Sequence, residues 1–292
     1  MRILFIGTVI FSKNILDEII KSKNKIVGVI GGKKTKFNSD YCDLVKYSKF
    51  KKIDSIYAEN INSNKILKWV KKKKPDIIFC IGWSRLLKKQ ILNIAPKGVI
   101  GYHPSDLPKN RGRHPIIWSL ALGLKNIGSC FFYMDEAADT GRIISKKKIK
   151  IKKNFNSYLV YKKLIQVGKQ QIREIMLKIE NNKLKSSPQK KSQSNNWRKR
   201  SEIDGKIDWR MDAKNINNLV NALTKPYPGA YFLFNEKKIV VWRSKVINFN
   251  IKNFEPGKII QHKNNLLIKC GNKALQLINF HPKINLNKIK YL

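Results

Sequence analysis

Acidic residues are scarce in this sequence: 19 Asp and Glu stand against 61 Lys and Arg, a net charge of +42 over 292 residues. Long hydrophobic runs are missing too, because no stretch reaches the roughly 18 consecutive apolar residues of a membrane-spanning helix. The amino-terminal apolar run stops at Gly7, well short of the apolar stretch of a signal peptide. Apolar residues still make up 42% of the chain, which excludes intrinsic disorder. We therefore expect a soluble, folded, cytoplasmic protein without membrane contact.

Cysteines are few and dispersed. The four residues Cys42, Cys80, Cys130 and Cys270 form no CxxC pair and no metal-type spacing. Cys80 and Cys130 lie within apolar runs, which is typical of buried, reduced thiols in a cytosolic protein. The pattern predicts free cysteines and no bound metal.

Glycine is missing from the position where a nucleotide-binding loop would need it. The first apolar run ends in Gly7-Thr8, and no further glycine occurs in the next ten residues. Neither a G-x-G-x-x-G fingerprint nor a Walker loop is present. A nucleotide-like sheet would therefore not identify the function by itself.

The excess of positive charge has two interpretations. Lys and Arg neutralise phosphates, so the charge is compatible with a nucleic-acid partner. However, only ten of the 61 basic residues are Arg, and the lysines are scattered along a chain that is also rich in Ile and Asn. Lys, Ile and Asn have A/T-rich codons, so we favour a compositional origin, with weak attraction to polyanions in either case.

The first half of the chain alternates short apolar runs with amphipathic stretches, a pattern that indicates an α/β fold. Predicted strands cover residues 2–6, 26–30, 76–80, 99–103, 129–134 and 143–149, and predicted helices cover 12–21, 64–72, 115–124 and 157–181. Strands that alternate with helices form right-handed crossovers, and continuous apolar strands are buried on both faces. We predict a mostly parallel, Rossmann-like sheet.

The second half has a different pattern. Residues 183–196 are rich in Lys, Ser, Gln and Asn and are predicted to be a linker. One helix (212–223) and short β-like runs follow, at 231–234, 239–246, 258–261, 266–269 and 275–280. We therefore predict one domain over residues 1–182 and a small, β-rich, barrel-like domain over 197–292.

A histidine and an acidic turn are the candidates for chemistry. His103 ends a buried strand, where open α/β sheets bind ligands, and prolines and a glycine stiffen the loop that follows. The turn MDEAADTG carries Asp135, Glu136 and Asp139 between two strands. A carboxylate there would orient the imidazole and favour its protonated form. A capping histidine and a solvated acidic turn are the plain alternatives.

The segments HPSDLPKNRGRHPIIW and FFYMDEAADTGRI together resemble the folate-dependent formyltransferase family, with its H-x-S-L-L-P-x-x-R-G loop and D-x-G-x-D-T-G turn. The 36 residues between His103 and Asp139 match the His–Asp spacing of that family. The tail, from DGKIDW to VVWRSKVI, resembles the family's C-terminal OB-like barrel. It is most similar to the domain of nucleotide-sugar N-formyltransferases that act on UDP-4-amino-4-deoxy-L-arabinose.

The resemblance implies a site residue by residue. His103 would be the catalytic histidine and Asp139 the carboxylate that holds it, and residues 1–182 would be the catalytic domain. The co-substrate would be 10-formyltetrahydrofolate, with no metal. Its cleft would be lined by Arg85, Leu86, Leu87, Ser105, Leu107, Pro108, Arg113, Asp135, Glu136, Ala137, Ala138 and Asp139.

The chain departs from the family at one position: Gly101 stands where the family usually has an asparagine that donates to the formyl oxygen. Loss of one such donor costs about 10²–10³ in rate. Either another donor (Ser105, a backbone N–H or water) replaces it, or activity is low.

Three functions follow from the resemblance. The first is transfer of a formyl group to a nucleotide-linked amino sugar, in glycan or lipopolysaccharide biosynthesis. The second is methionyl-tRNA formylation, and the third is a weakly active or non-catalytic homologue. The short stretch 31–41 favours the sugar, since the tRNA enzymes carry a long basic loop there. The identity of the sugar and assembly as a homodimer stay open.

Overall fold

The computed structural model describes residues 1–35, 39–249, 253–262 and 265–292. The chain divides into two compact units. The first comprises Met1–Gly112, Ile127–Ile149 and Lys162–Trp197, and the second comprises Arg113–Asn126, Lys150–Tyr161 and Arg198–Leu292. The predicted boundaries at residues 182 and 197 stay predictions.

Helices and strands alternate in the amino-terminal half, as expected. The helices are α1 (Ile10–Ile20), α2 (Leu44–Phe50), α3 (Asn64–Lys73), α4 (Lys89–Leu92), α5 (Pro115–Ala121), α6 (Ser157–Glu180) and α7 (Ala213–Leu223). The strands up to residue 197 are β1 (Arg2–Ile6), β2 (Lys25–Gly31), β3 (Ser55–Tyr57), β4 (Ile77–Cys80), β5 (Val99–His103), β6 (Arg111–Gly112), β7 (Asn126–Tyr133), β8 (Ile143–Lys150) and β9 (Asn196–Trp197).

A mostly parallel sheet forms the centre of the first unit, with strand order β3-β2-β1-β4-β5-β7-β8. The pairs β1–β2, β1–β4, β2–β3 and β4–β5 are parallel, whereas β5 and β7 are antiparallel. Every residue of β4 is buried, as is every residue of β1 after Arg2, because crossover helices cover both faces of a parallel sheet. The predicted fold class is confirmed.

The short elements α2, β3 and α4 were not predicted. Helix α2 has seven residues and α4 has four, too few for a helical period to show. The strand β3 has three residues, none of them buried, and pairs with β2 at the edge of the sheet. Its apolar signal is correspondingly weak.

The second unit contains α5, α7 and an antiparallel sheet. Its strands are β10 (Ala230–Phe234), β11 (Lys237–Ile247), β12 (Ile259–His262), β13 (Asn265–Lys269) and β14 (Ala274–His281), in the order β10-β11-β14-β13-β12. The Asp212 side chain caps α7 by accepting a hydrogen bond from the Lys214 backbone N–H at 2.8 Å. The predicted β-rich carboxyl-terminal region is confirmed as this five-stranded sheet.

Among the residues that the structure describes, no helix combines the length and the apolar composition that a membrane span requires.

Candidate active site

His103 is the last residue of β5 and is 93% buried, with 7% of its surface exposed. Its neighbour β4 runs parallel to β5, with Cys80 opposite Gly101. The carboxyl ends of these two strands therefore lie at the same edge of the sheet, where open α/β folds place their ligands. The predicted strand 99–103 is thus confirmed, and it presents His103 at this edge.

The loop 104–112, which follows His103, is packed against the sheet. The Leu107 side chain is fully buried against Cys130 and Phe132. Gly128 of β7 lies directly below the loop, and a Cβ there would collide with the backbone of Ser105. Lys146 on β8 donates to the Leu107 carbonyl at 2.8 Å and pairs with the Asp106 carboxylate at 2.9 Å. These contacts leave the loop little freedom.

His103 and Asp139 face each other, as the sequence motifs predicted. The His103 Nδ1 and Asp139 Oδ1 atoms are 3.5 Å apart. The other carboxylate oxygen of Asp139 accepts a hydrogen bond from the Gly112 backbone N–H at 3.0 Å. Asp139 has a left-handed backbone, φ +59°, which is unfavourable for a residue with a side chain. Its neighbours must therefore hold it in place.

The second imidazole nitrogen also faces an acceptor. His103 Nε2 is 3.1 Å from the Asn110 carbonyl oxygen. A neutral imidazole carries one N–H and satisfies one of these two acceptors, whereas an imidazolium satisfies both. Each ring nitrogen thus has one acceptor of its own, Asp139 Oδ1 and the Asn110 carbonyl, and these two contacts fix the orientation of the ring.

The residues that support this pair are not among those that the sequence motifs predicted. The Asn110 backbone N–H donates to the Asn195 side-chain oxygen at 2.8 Å, and the Arg111 N–H donates to the Asn195 carbonyl at 3.0 Å. Strand β6 then pairs in parallel with β9. Asn195 lies within the stretch predicted to be a linker, and its polar, low-complexity composition carried no signal for this contact.

Three of the predicted folate-binding residues follow β4. Arg85 is exposed, Leu86 is 57% exposed, and the Leu87 side chain is buried in the core. Asn62 fixes this turn, donating to the Leu86 carbonyl at 3.0 Å and accepting from the Lys88 N–H at 2.8 Å. Arg85 and Leu86 thus offer side chains to a ligand, whereas Leu87 offers only its backbone.

The remaining predicted folate-binding residues differ in how far they are exposed to solvent. The turn 135–138 is exposed, and Thr140 holds it by donating to Asp135 Oδ1 at 2.5 Å. Pro108 is half-buried, and Ser105 is 1% exposed, with its hydroxyl donating to the Lys109 carbonyl at 3.1 Å. Ser105 is therefore not a spare oxyanion donor.

Arg113 begins the second unit and is exposed. Its neighbour His114 accepts a hydrogen bond from the Arg200 N–H at 3.3 Å. Burial, with Arg113 and Arg200 nearby, lowers the pKa of His114. The Arg200 guanidinium lies 4.5 Å from the centroid of the Trp118 ring, a cation–π contact within this unit.

The Met134 side chain fills the space beside Gly101. A Cβ at Gly101 would lie 2.8 Å from Met134 Cγ and 3.2 Å from Phe132 Cζ. A larger residue at this position therefore requires Met134 to move.

The cysteines and acidic residues offer neither a reactive thiol among Cys80 and Cys130 nor a cluster of metal ligands in the described ranges. Burial raises the pKa of the Cys80 and Cys130 thiols to about 12, which makes them unreactive. Across the described ranges, no three His, Cys, Asp or Glu side chains come together in a way that would hold a metal ion. The expected lack of a metal stays a prediction.

Comparison with known proteins gives matches over nearly the whole chain. Residues 1–176 match the family model for formyl transferase, and residues 199–286 match the model for the formyl transferase C-terminal domain. The bifunctional polymyxin resistance protein ArnA of Wigglesworthia glossinidia brevipalpis is 36% identical over 239 residues, covering 82% of this chain and 36% of that protein. The chain thus spans about a third of that relative's length.

Two further proteins match nearly the whole length of the chain. A methionyl-tRNA formyltransferase of Caldanaerobacter subterraneus subsp. tengcongensis is 28% identical, over 97% of this chain and 93% of that protein. The crystal structure of WlaRD, a sugar 3N-formyl transferase in the presence of dTDP and 5-N-formyl-THF, superposes with a TM-score of 0.72 at 20% identity, covering 97% of this chain and 99% of that one. At that identity the superposition shows a shared fold.

Proposed function

The chain belongs to the formyl transferase family, and from this premise we propose that it transfers the formyl group of 10-formyltetrahydrofolate to the amine of a nucleotide-linked amino sugar. The observation that carries the reaction is the His103–Asp139 pair, 3.5 Å apart at the carboxyl end of β5. The pair supplies a proton donor and a carboxylate at the edge of the sheet where α/β folds bind substrates.

The pair has a defined role in formyl transfer. The amine attacks the formyl carbon, a C–N bond forms, and the carbonyl oxygen becomes an oxyanion. Protonated His103 stabilises that oxyanion and passes a proton to the folate nitrogen as the original C–N bond breaks. Asp139 holds the ring and its charge, and it accepts the proton that the amine loses.

The residues after β4 and in the acidic turn suit a folate. Exposed Leu86 offers an apolar surface for a flat ring, and exposed Arg85 offers a positive charge for the glutamate carboxylates. The exposed turn 135–138 offers backbone groups for the polar edge of the pterin. Arg85, Leu86 and this turn would hold the formyl donor, which supplies the one-carbon group.

The choice of an amino sugar rests on similarity. The polymyxin resistance relative is 36% identical to this chain, against 28% for the methionyl-tRNA formyltransferase. WlaRD acts on a sugar amine and shares the fold. The short stretch 31–41 supported the same choice, although its residues 36–38 lie outside those that the structure describes.

A panel of acceptors tests the proposal. The purified chain is given 10-formyltetrahydrofolate together with UDP- or dTDP-linked 3- and 4-amino sugars, and the product is identified by its added formyl mass. His103→Gln serves as the inactive control. Formylation of one or more sugars by the wild type alone supports the proposal, and no formylation of any sugar contradicts it.

Methionyl-tRNA is the second candidate acceptor. The net charge of +42 would suit RNA, and the tRNA-modifying relative matches along 93% of its length. The same panel therefore includes charged initiator tRNA at low and high salt. A sugar enzyme should bind RNA only through phosphate attraction that salt removes. Formylation of the tRNA with no sugar accepted would favour this second candidate.

A further inference from the structure

The Gln189 side chain forms hydrogen bonds with two segments that flank the His103–Asp139 pair. Its Nε2 group donates to the Asp139 carbonyl at 2.9 Å and to the Gly141 carbonyl at 2.8 Å. Its Oε1 atom accepts from Arg111 Nε at 3.2 Å and from Arg111 Nη2 at 2.7 Å. One carboxamide thus joins the acidic turn to the 104–112 loop.

The surroundings determine the orientation of this amide. A guanidinium has donors and no acceptor, so the amide oxygen must face Arg111, and the NH₂ group then faces the two carbonyls. Arg111 is 8% exposed, so its partners lie away from solvent, where hydrogen bonds are costly to lose. The reverse orientation would leave all four of these contacts unfavourable.

Both partners of His103 depend on the segments that Gln189 connects. Asp139 has a left-handed backbone, its own carbonyl is one of the two that Gln189 binds, and its carboxylate faces His103 Nδ1. Arg111 directly follows Asn110, whose carbonyl faces His103 Nε2. A shift of either segment would change what the imidazole contacts.

We propose that Gln189 is a positioning residue, which keeps Asp139 aligned on His103 through the carbonyls of the acidic turn. The proposal rests on the function given above, since it assigns Gln189 a part in formyl transfer. Gln189 makes no contact with His103 itself among the hydrogen bonds of the described residues, so it acts through Asp139.

Gln189→Glu is the decisive variant. A carboxylate of the same size still accepts from Arg111, but it repels the two carbonyls that the amide bound. Displacements of about 1 Å at a reacting pair can cost up to about 10²-fold in rate, so we expect kcat to fall about tenfold. We expect KM for the formyl donor to change less than about threefold, because the donor-binding groups are untouched.

Gln193→Glu is the matched control, since it makes the same charge change at an exposed position of the same segment. Gln189→Met provides a second variant of similar length that lacks the hydrogen bonds without adding charge. Melting temperatures of all three variants show whether a loss of activity reflects unfolding. We expect reduced kcat in both Gln189 variants and wild-type kcat in the control.

A second measurement is independent of turnover. The chain has four histidines, so ¹⁵N spectra of the imidazole rings can be assigned with His103→Gln. We expect Gln189→Glu to shift the His103 ring signals and Gln193→Glu to leave them unchanged. Unchanged His103 signals in the Gln189 variants would overturn the proposal, whatever their activity. If the wild type formylates no acceptor, the proposed function fails, and the ring signals still decide the role of Gln189.

Discussion

The 104–112 loop and the segment 189–197 meet at the same site but contribute to it in different ways. The loop buries three of its side chains: Ser105, Leu107 and Arg111 are each less than a tenth exposed. The segment keeps Gln189 half-buried and Asn195 exposed, and it contributes hydrogen bonds to neighbouring backbone and to Arg111. The loop follows His103 directly, whereas the segment holds the groups that the His103 ring contacts.

The difference explains which residues a motif search finds. The 104–112 loop stands out because a histidine, two prolines and a glycine occur together at a strand end. The segment consists of Lys, Ser, Gln and Asn, a composition that is equally typical of linkers. Its role depends on geometry, since the same residue types have no function unless a loop lies within hydrogen-bond distance.

The largest effect is expected at His103. His103→Gln should lower formyl transfer at least about 10²-fold, because the oxyanion loses its charged donor in the transition state. Binding of 5- or 10-formyltetrahydrofolate, measured by calorimetry, should stay within a few-fold of wild type. Near-wild-type turnover in this variant would mean that the chemistry lies elsewhere.

An increase in kcat is expected from a substitution at Gly101, two residues before His103. Gly101→Asn introduces an amide donor, but its Cβ would lie 2.8 Å from Met134 Cγ. Gly101→Asn with Met134→Ala removes that clash, and we expect kcat about tenfold above wild type, below the full value of about 10²–10³ for an oxyanion donor. The two single variants are the controls. A double variant no faster than wild type would show that another donor already occupies this role.

Much of the fold could be predicted from the sequence. Strands β1 and β5 have the predicted bounds, residues 2–6 and 99–103, because burial on both faces requires an apolar run in the body of each strand. The edge strand β3 and the short helices α2 and α4 could not be predicted, because partial burial and short length erase the hydrophobic period. Long-range pairing, such as β6 with β9, leaves no local pattern at all.

The site could be predicted in part. The paired motifs identified His103 and Asp139, and the structure brings these two side chains together. The contacts of Asn110 and Gln189 were missed, because a backbone carbonyl and a neutral amide carry no chemical signature in sequence. The assignment of the folate-binding residues stays a prediction.

A smaller loss is expected where the loop and the segment touch. Gly112 has φ +97°, and a Cβ there would lie 3.2 Å from the Trp197 carbonyl carbon and closer still to its oxygen. Gly112→Ala should therefore separate β6 from β9 and displace the N–H that binds Asp139. We expect kcat to fall about fivefold, which is less than the roughly 10²-fold loss that a reacting group misplaced by about 1 Å can cause.

Gly123→Ala is the matched control for this change. Gly123 also has a left-handed backbone, φ +65°, and a Cβ there would contact the mobile end of the Asn218 side chain at 2.8 Å. Both variants carry the strain of alanine at positive φ, so both should melt at lower temperature. Equal kcat in the two variants would show that the contact between loop and segment does not affect catalysis.

The smallest effect is expected at Asn195, which isolates the contribution of the segment to the loop. Asn195→Ala removes the side-chain acceptor of the Asn110 N–H, a bond of 2.8 Å at an exposed position, where a hydrogen bond contributes about 1 kcal/mol. The strained Asn110, with φ +63°, then holds its carbonyl less firmly against His103 Nε2. We expect kcat to fall about threefold, by analogy with small misplacements of reacting groups.

Asn181→Ala removes one comparable exposed bond, to the Leu177 carbonyl at 2.9 Å, and should leave kcat unchanged. If the two variants have the same kcat, the Asn110 carbonyl is held without the Asn195 side chain, by the loop itself and by the Arg111 N–H bond to the Asn195 carbonyl.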